Sequence, residues 1–150
     1  YSRGLPPMLS GGAPGLNSGL SGAQLLATSL AAEARLLGTA ASIQTISTNA
    51  NNQDVVSMGC IAAKMTRTAL PLLWKILAIE AITVVQAADA RGAEKVLGAD
   101  YKKLYELVRS VSSRLENDRP LNEDIERVTE LLQSGEAQAA FGFDKPYESD

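Results

Sequence analysis

Residues 51–59 read Asn-Asn-Gln-Asp-Val-Val-Ser-Met-Gly, so three carboxamides and a carboxylate (Asn51, Asn52, Gln53 and Asp54) stand side by side ahead of a long apolar run. Carboxamides present donors and acceptors without net charge, which suits a site that grips an amino acid through its carboxylate and its amine. If a helix starts here, its free backbone N–H groups and dipole add to the pull on an anion. A structural role competes with this one. Asn is a common N-cap and an acidic side chain complements the dipole, so capping accounts for one or two of the four. Four together exceed what a cap needs.

Other chemistry is narrowed by what the chain holds. The loop Leu9-Ser10-Gly11-Gly12-Ala13-Pro14-Gly15 has the glycine density of a phosphate cradle. It lacks the Lys-Ser/Thr pair and the preceding strand of a P-loop, and reads as a flexible connector. The sequence has no histidine and one cysteine, which removes His-based triads, His-ligated metals and a zinc site built from these residues. No metal is expected. Cys60 lies in an apolar run and reads as a small core hydrophobe in a reducing compartment, the cytoplasm. A net charge of −3 gives no electrostatic case for nucleic acid or an anionic membrane as partner.

The elements that must position the polar cluster follow from periodicity. Pro6, Pro7, Gly11, Gly12, Pro14 and Gly15 make residues 4–18 loop. Leu26, Leu30 and Leu37 with interleaved alanines predict a helix over 19–37, with Ser21 and Gln24 as a capping pair. Gly38 and the Thr/Ser/Asn-rich residues 39–52 predict an irregular crossing. From Gln53 to about Arg91 the only turn signal is Pro71, which predicts one long helix bent at that proline. Asp100 is placed to cap a helix running to about Glu116, and Asn122 one that ends near Gly135. Residues 136–150 are polar and without period, which predicts a mobile or partner-dependent tail. The fold class is therefore all-α, a long-helix bundle over 1–134 followed by a tail over 135–150.

The segment 69–90 is long and apolar enough to raise a membrane span. It holds Pro71, Lys75, Glu80, Gln86 and Asp89, each costly in lipid, so a buried bundle helix is expected instead. Lys75 and Glu80 are expected at seams between helices, with a buried pair as the alternative. At a rise of about 1.5 Å per residue the helix would reach roughly 55–60 Å. A compact chain of this length is only about 40 Å across. The helix must overhang its own globule, and its apolar faces need cover from other segments or subunits. The opening Tyr-Ser-Arg-Gly has neither an initiator Met nor a charged-then-apolar leader, which predicts a piece of a longer protein.

Four phrases, Arg3-Gly4-Leu5-Pro6-Pro7, Gly15-Leu16-Asn17-Ser18-Gly19, Asn52-Gln53-Asp54-Val55-Val56-Ser57-Met58-Gly59 and Asp118-Arg119-Pro120-Leu121, occur here in order. In this the chain resembles, over about residues 1–134, the C-terminal portion of the aromatic amino acid ammonia-lyases and 2,3-aminomutases. The resemblance implies the last quarter of an enzyme that folds as a homotetramer of very long helices, with active sites drawn from three subunits. It also implies the electrophilic methylidene-imidazolone (MIO) cofactor, formed in that family from an Ala-Ser-Gly that does not occur in these residues. The family's tyrosine base and carboxylate-binding arginine belong to earlier parts of its chain and are not assigned to Tyr1 or Arg3. The fragment alone is therefore expected to be inactive.

Residue by residue, the resemblance puts Gln53 where the family's histidine lyases have Glu and its phenylalanine and tyrosine enzymes have Gln, implying an aryl substrate. Asn52 belongs to the same polar wall, near the amine and the electrophile. Asn49 matches a position that is often Glu in plant phenylalanine lyases and Asn in bacterial tyrosine lyases and aminomutases. Ser21 and Leu25, one turn apart on the first helix, match the two pocket positions that flank the ring. Ser21 departs from the Lys or Met common there, so phenylalanine and tyrosine both stay open. The implied activity is an ammonia-lyase, with a 2,3-aminomutase as the alternative and a helical scaffold without chemistry as a third reading.

Overall fold

The computed structural model describes residues 3–140 apart from residues 14 and 94. Its helices are α1 (Ser21–Leu37), α2 (Gly59–Arg91), α3 (Ala99–Val111), α4 (Asn122–Gln133) and the short α5 (Gly135–Ala140), with 3-10 turns at Pro7–Leu9 and Ala41–Gln44. No strand occurs among the described residues, and the all-α expectation holds. The helix α2 is the axis: α1, α3 and α4 all pack against it.

Spacing explains which faces meet. On α4, Ile125 and Val128 lie three apart on one stripe; both are buried, with Leu132 packed against them one turn on. On α3, Leu104, Val108 and Val111 do the same, and Val108 and Val128 are fully buried. Each such side chain contributes about 1.5–3 kcal/mol of burial free energy. The buried residues of α2 are Ala78, Ile79, Ala81, Ile82, Val85 and Gln86, all in its C-terminal half. The N-terminal half carries none. Ile61, Leu70, Leu73 and Leu77 are each between 45% and 48% exposed, so the helix overhangs as its length requires.

Several boundaries differ from the sequence expectation. The long helix starts at Gly59 rather than Gln53, because Met58 takes a left-handed backbone (φ 53°) and the residues before it pair with the incoming chain. The helix runs on through Pro71. The expected caps each fall inside their helices: Ser21 is the first residue of α1, Asp100 the second of α3 and Asn122 the first of α4. None of these helices has a side-chain cap bond, and Asp100, Glu123 and Asp124 act in the first turn, where carboxylates favour the dipole. The helix α3 stops at Val111, before the expected Glu116, because the chain turns to bury Ser112 and Leu115. Cys60 is exposed, not core. Glu80 is exposed and Lys75 half-buried, and neither is ion-paired among the described residues. Where a tail was expected from residue 136, Gly135–Ala140 is helical and Ala137 is buried; residues 141–150 of that tail lie outside the described residues.

Two polar devices fix how the ends meet. The Asp118 carboxylate accepts the N–H groups of Ser18 (2.6 Å) and Gly19 (2.9 Å), and the Asp118 N–H donates to Asn17 Oδ1 at 2.8 Å. This reciprocal clamp joins the entry of α1 to the α3–α4 connector. Glycine is required around it. Gly19 has φ +54°, and a Cβ there would lie 2.4 Å from the Met8 carbonyl; a Cβ on Gly11 would lie 2.3 Å from that of Leu115. In the second device Asp124, 5% exposed, takes the Ser112 hydroxyl at 2.8 Å and both Arg119 Nη groups. Burial alone would raise the Asp124 carboxyl, but the Arg119 and Ser112 hydrogen bonds outweigh it and hold it below the usual carboxylate range.

Asp118→Ala in the full-length protein removes two charge-assisted bonds from the entry of α1. Amide exchange of Ser18 and Gly19 is expected to accelerate about tenfold, with α2 unchanged; unchanged exchange there would refute the clamp. For Asp124 the native carboxyl is depressed, so its stabilisation is present above the ordinary carboxylate pKa of about 3.9 and is lost as pH falls through the native value. Asp124→Asn should therefore speed exchange along α4 about tenfold or more at pH 7, and the ratio to wild type should approach one below about pH 4. A ratio independent of pH would exclude this coupling.

Candidate functional site

The polar cluster lies on a turn ahead of α2, not on the helix itself. Thr48 and Gln53 pair through both main chains, Thr48 N–H to Gln53 C=O at 2.9 Å and Gln53 N–H to Thr48 C=O at 3.3 Å. Between them the Asn52 N–H donates to the Asn49 carbonyl at 3.0 Å. Asn49, Ala50 and Asn51 are successively left-handed, with φ of 53°, 52° and 65°. Asparagine tolerates that region; alanine in it costs about 1–2 kcal/mol. The helix dipole expected to act at this cluster does not start there, because Gly59 rather than Gln53 begins the helix.

What the turn leaves free is its side-chain chemistry. Ser47 Oγ donates to Asn51 Oδ1 at 2.7 Å, and Thr45 Oγ1 accepts the Val56 N–H at 3.0 Å. Among the described residues the side chains of Asn49, Asn52, Gln53 and Asp54 have no hydrogen-bond partner. All four are exposed. The turn thus displays amide donors and acceptors that the fold does not use. That is the arrangement a polar ligand needs.

Ser21 and Leu25 sit on α1 one turn apart, Ser21 half-buried and Leu25 72% exposed. The structure brings Asn49, Asn52 and Gln53 together on one turn, while no hydrogen bond joins that turn to Ser21. An apolar hollow of about 470 Å³ opens beside α1, lined by Met8, Leu20, Ala27, Ile76 and Ile79 with Glu80 and Thr83. None of the five candidate residues lines it. The chain holds these residues as two open surface patches and not as a closed pocket.

A buried polar cluster escaped the sequence reading, in which Gln86 and Asp89 counted only as residues costly in lipid. Gln86 Nε2 donates to the carbonyls of Leu9 (3.2 Å) and Leu115 (2.9 Å), and its Oε1 accepts the Leu115 N–H (3.1 Å) and Arg109 Nη2 (3.2 Å). Arg109 also pairs with Asp89 at 2.6 Å, and Asp89 accepts the Tyr105 hydroxyl at 2.5 Å. The bond to Asp89, with burial, raises the Tyr105 phenol above its ordinary value. Tyr105 therefore holds its proton and is unsuited to act as a base. The residues of this cluster serve one another, and its function is structural. The only signal available in sequence was polar residues recurring at positions 86 and 89 of an apolar helix.

Comparison with known proteins then places the chain. The family described as aromatic amino acid lyase matches residues 1–110. A tyrosine ammonia-lyase of Cereibacter sphaeroides is 50% identical over 136 residues, covering 88% of this chain and 26% of that protein. An MIO-dependent tyrosine 2,3-aminomutase of Streptomyces globisporus is 46% identical over 135 residues, covering 90% of this chain and 25% of that one. The crystal structure of a tyrosine aminomutase from Streptomyces globisporus superposes with a TM-score of 0.86 at 43% identity, covering 98% of this chain and 28% of that one. The chain thus spans about a quarter of the length of the curated relatives it matches. With its sequence phrases and its helical frame both matched, the chain belongs to the aromatic amino acid lyase family.

Proposed function

We propose that this chain is one wall of the active site of an aromatic amino acid ammonia-lyase that acts as a homotetramer on phenylalanine or tyrosine. The observation that carries the reading is the turn at 49–53, where the amides of Asn49, Asn52 and Gln53 are exposed and, among the described residues, without partners. Gln53 and Asn52 orient the substrate's amine and carboxylate. Asn49, with Ser21 and Leu25 from α1, shapes the aryl pocket. A neutral amide at Gln53 suits a neutral ring, since a carboxylate there would be desolvated against it without a compensating charge.

The chemistry an MIO ring supplies is an electrophile for the substrate's amine. Uncharged donors and acceptors with free capacity fit such a neutral heterocycle, so Asn52 and Gln53 are the residues of this chain that would face it. Its atoms belong to polypeptide beyond these residues, because no Ala-Ser-Gly occurs among them. The overhanging half of α2 supports the oligomer: exposed Ile61, Leu70, Leu73 and Leu77 need apolar cover.

A second reading, a tyrosine 2,3-aminomutase, is favoured by the 46% identity to the Streptomyces globisporus enzyme. Product analysis separates the two. Full-length protein given phenylalanine, tyrosine and histidine in turn should release an arylacrylate from the first two, read by ultraviolet absorbance. Turnover of histidine alone would overturn the role given to Gln53, and a β-amino acid on chiral chromatography would favour the mutase. Gln53→Ala is expected to lower kcat/KM about 100-fold on the preferred substrate, the scale of losing one positioned hydrogen-bonding group. Wild-type turnover in that variant would remove the reading.

A further inference from the structure

Every residue from 42 to 57 is exposed except Thr45. Among the described residues its hydroxyl is also the one side-chain group that spans the two arms of the turn: Oγ1 accepts the Val56 N–H at 3.0 Å and donates a long 3.5 Å bond to the Asp54 carbonyl. Those two partners flank the segment immediately after Gln53. The other contacts of the turn are the main-chain pair at Thr48 and Gln53, the Asn52 to Asn49 bond, and the Ser47 to Asn51 bond at the exposed tip. A tip with three successive left-handed residues, one of them Ala50, keeps that shape only while its base is held closed. The main-chain pair of Thr48 and Gln53 closes it, and the Thr45 hydroxyl ties the residues that follow Gln53 to the incoming arm.

We propose that Thr45 is a positioning residue for the reaction, fixing Gln53 through its hydroxyl without touching substrate. The inference rests on the reading of Gln53 as a substrate-facing group. A β-branched side chain suits the task. The methyl and backbone restrict χ1, so the hydroxyl is already aimed, and valine has the same shape without the hydrogen bonds. A misplacement of about 1 Å at a positioned group is worth up to about 100-fold in rate.

The test uses full-length protein with Thr45→Val, Thr45→Ser, Gln53→Ala and the Thr45→Val/Gln53→Ala double variant. Thr45→Val is expected to lower kcat about 10- to 100-fold with KM changed less than about threefold, and Thr45→Ser to stay within about threefold of wild type. The double variant should be no slower than Gln53→Ala, because a residue that acts only through Gln53 has nothing left to position. A purely structural role would not produce that non-additivity. If Thr45→Val does not fold, Thr45→Ala removes the hydroxyl without adding a methyl and is read the same way. Wild-type kcat in the hydroxyl-free variants, equal loss in Thr45→Ser, or full multiplication of the two losses overturns the proposal while a slow Gln53→Ala leaves the proposed function standing. Wild-type turnover in Gln53→Ala takes both down.

Discussion

Gln86 lies on α2 at 2% exposure, where each unsatisfied amide group would cost about 1–3 kcal/mol, and all of its hydrogen-bonding capacity is used by Leu9, Leu115 and Arg109. The rest of the fold hangs from that amide. Leu9 follows Met8, whose carbonyl takes the Leu20 N–H at 2.8 Å, so the N-terminal loop and the start of α1 inherit their position from it. Leu115 begins the connector that carries Asp118, whose carboxylate closes on Ser18 and Gly19. Arg109 passes the constraint to α3 through Asp89 and Tyr105. Three stretches distant in sequence, around Leu9, Gln86 and 109–115, meet at one side chain. Pack it with leucine instead and three backbone groups and a guanidinium lose their partner together.

What could be read in advance divides along the range of the forces involved. The helices α1, α3 and α4 were legible in type and approximate place because cap residues, helical spacing and stop signals are local properties of sequence. The cap positions were not, because Ser21, Asp100 and Asn122 are typical cap residues displaced by one or two positions, and typical caps say little about where a clamp from elsewhere ends the loop. Asp118 was visible only as part of a familiar phrase. Its bonds reach across about 100 residues, which no window of sequence contains. Cys60 was misjudged for a related reason: apolarity predicts burial, but Cys60 lies on the part of α2 that overhangs and is exposed. At the site, the types and neighbourhood of Asn49, Asn52 and Gln53 were legible, while the turn that carries them was not. Val55-Val56-Ser57-Met58 continues the apolar pattern of α2, yet the Thr48–Gln53 main-chain pair and the Val56 N–H bond to the Thr45 hydroxyl win over it.

The overhang and the open turn are two aspects of one circumstance. The unburied half of α2 begins at Gly59, a few residues after Gln53, and carries Ile61, Leu70, Leu73 and Leu77 outward. By length and composition alone this helix could cross a membrane. Lys64, Arg67 and Lys75 on the same half argue for a protein partner, because each is expensive in hydrocarbon and easily accommodated at a helix seam. Under the proposed homotetramer, the copy that covers those apolar residues is also adjacent to the amide turn. The same association would then bury the helix and supply the missing walls around Asn52 and Gln53.

Placing the amides on a turn rather than at the helix entrance has a chemical consequence. An asparagine at an N-cap commits its side-chain oxygen to the second or third N–H of the helix, and has that much less to offer a ligand. Here the backbone satisfies itself, Thr48 with Gln53 and Asn49 with Asn52, and the Asn52 and Gln53 side chains keep their full complement of donors and acceptors. The cost is local: an alanine in the left-handed region, on a turn closed by one main-chain pair and one threonine hydroxyl. Strain of that kind persists where the surroundings over-determine it. In this chain the surroundings of the turn are thin, so under the proposed homotetramer closure of the site and rigidity of the turn should arrive together.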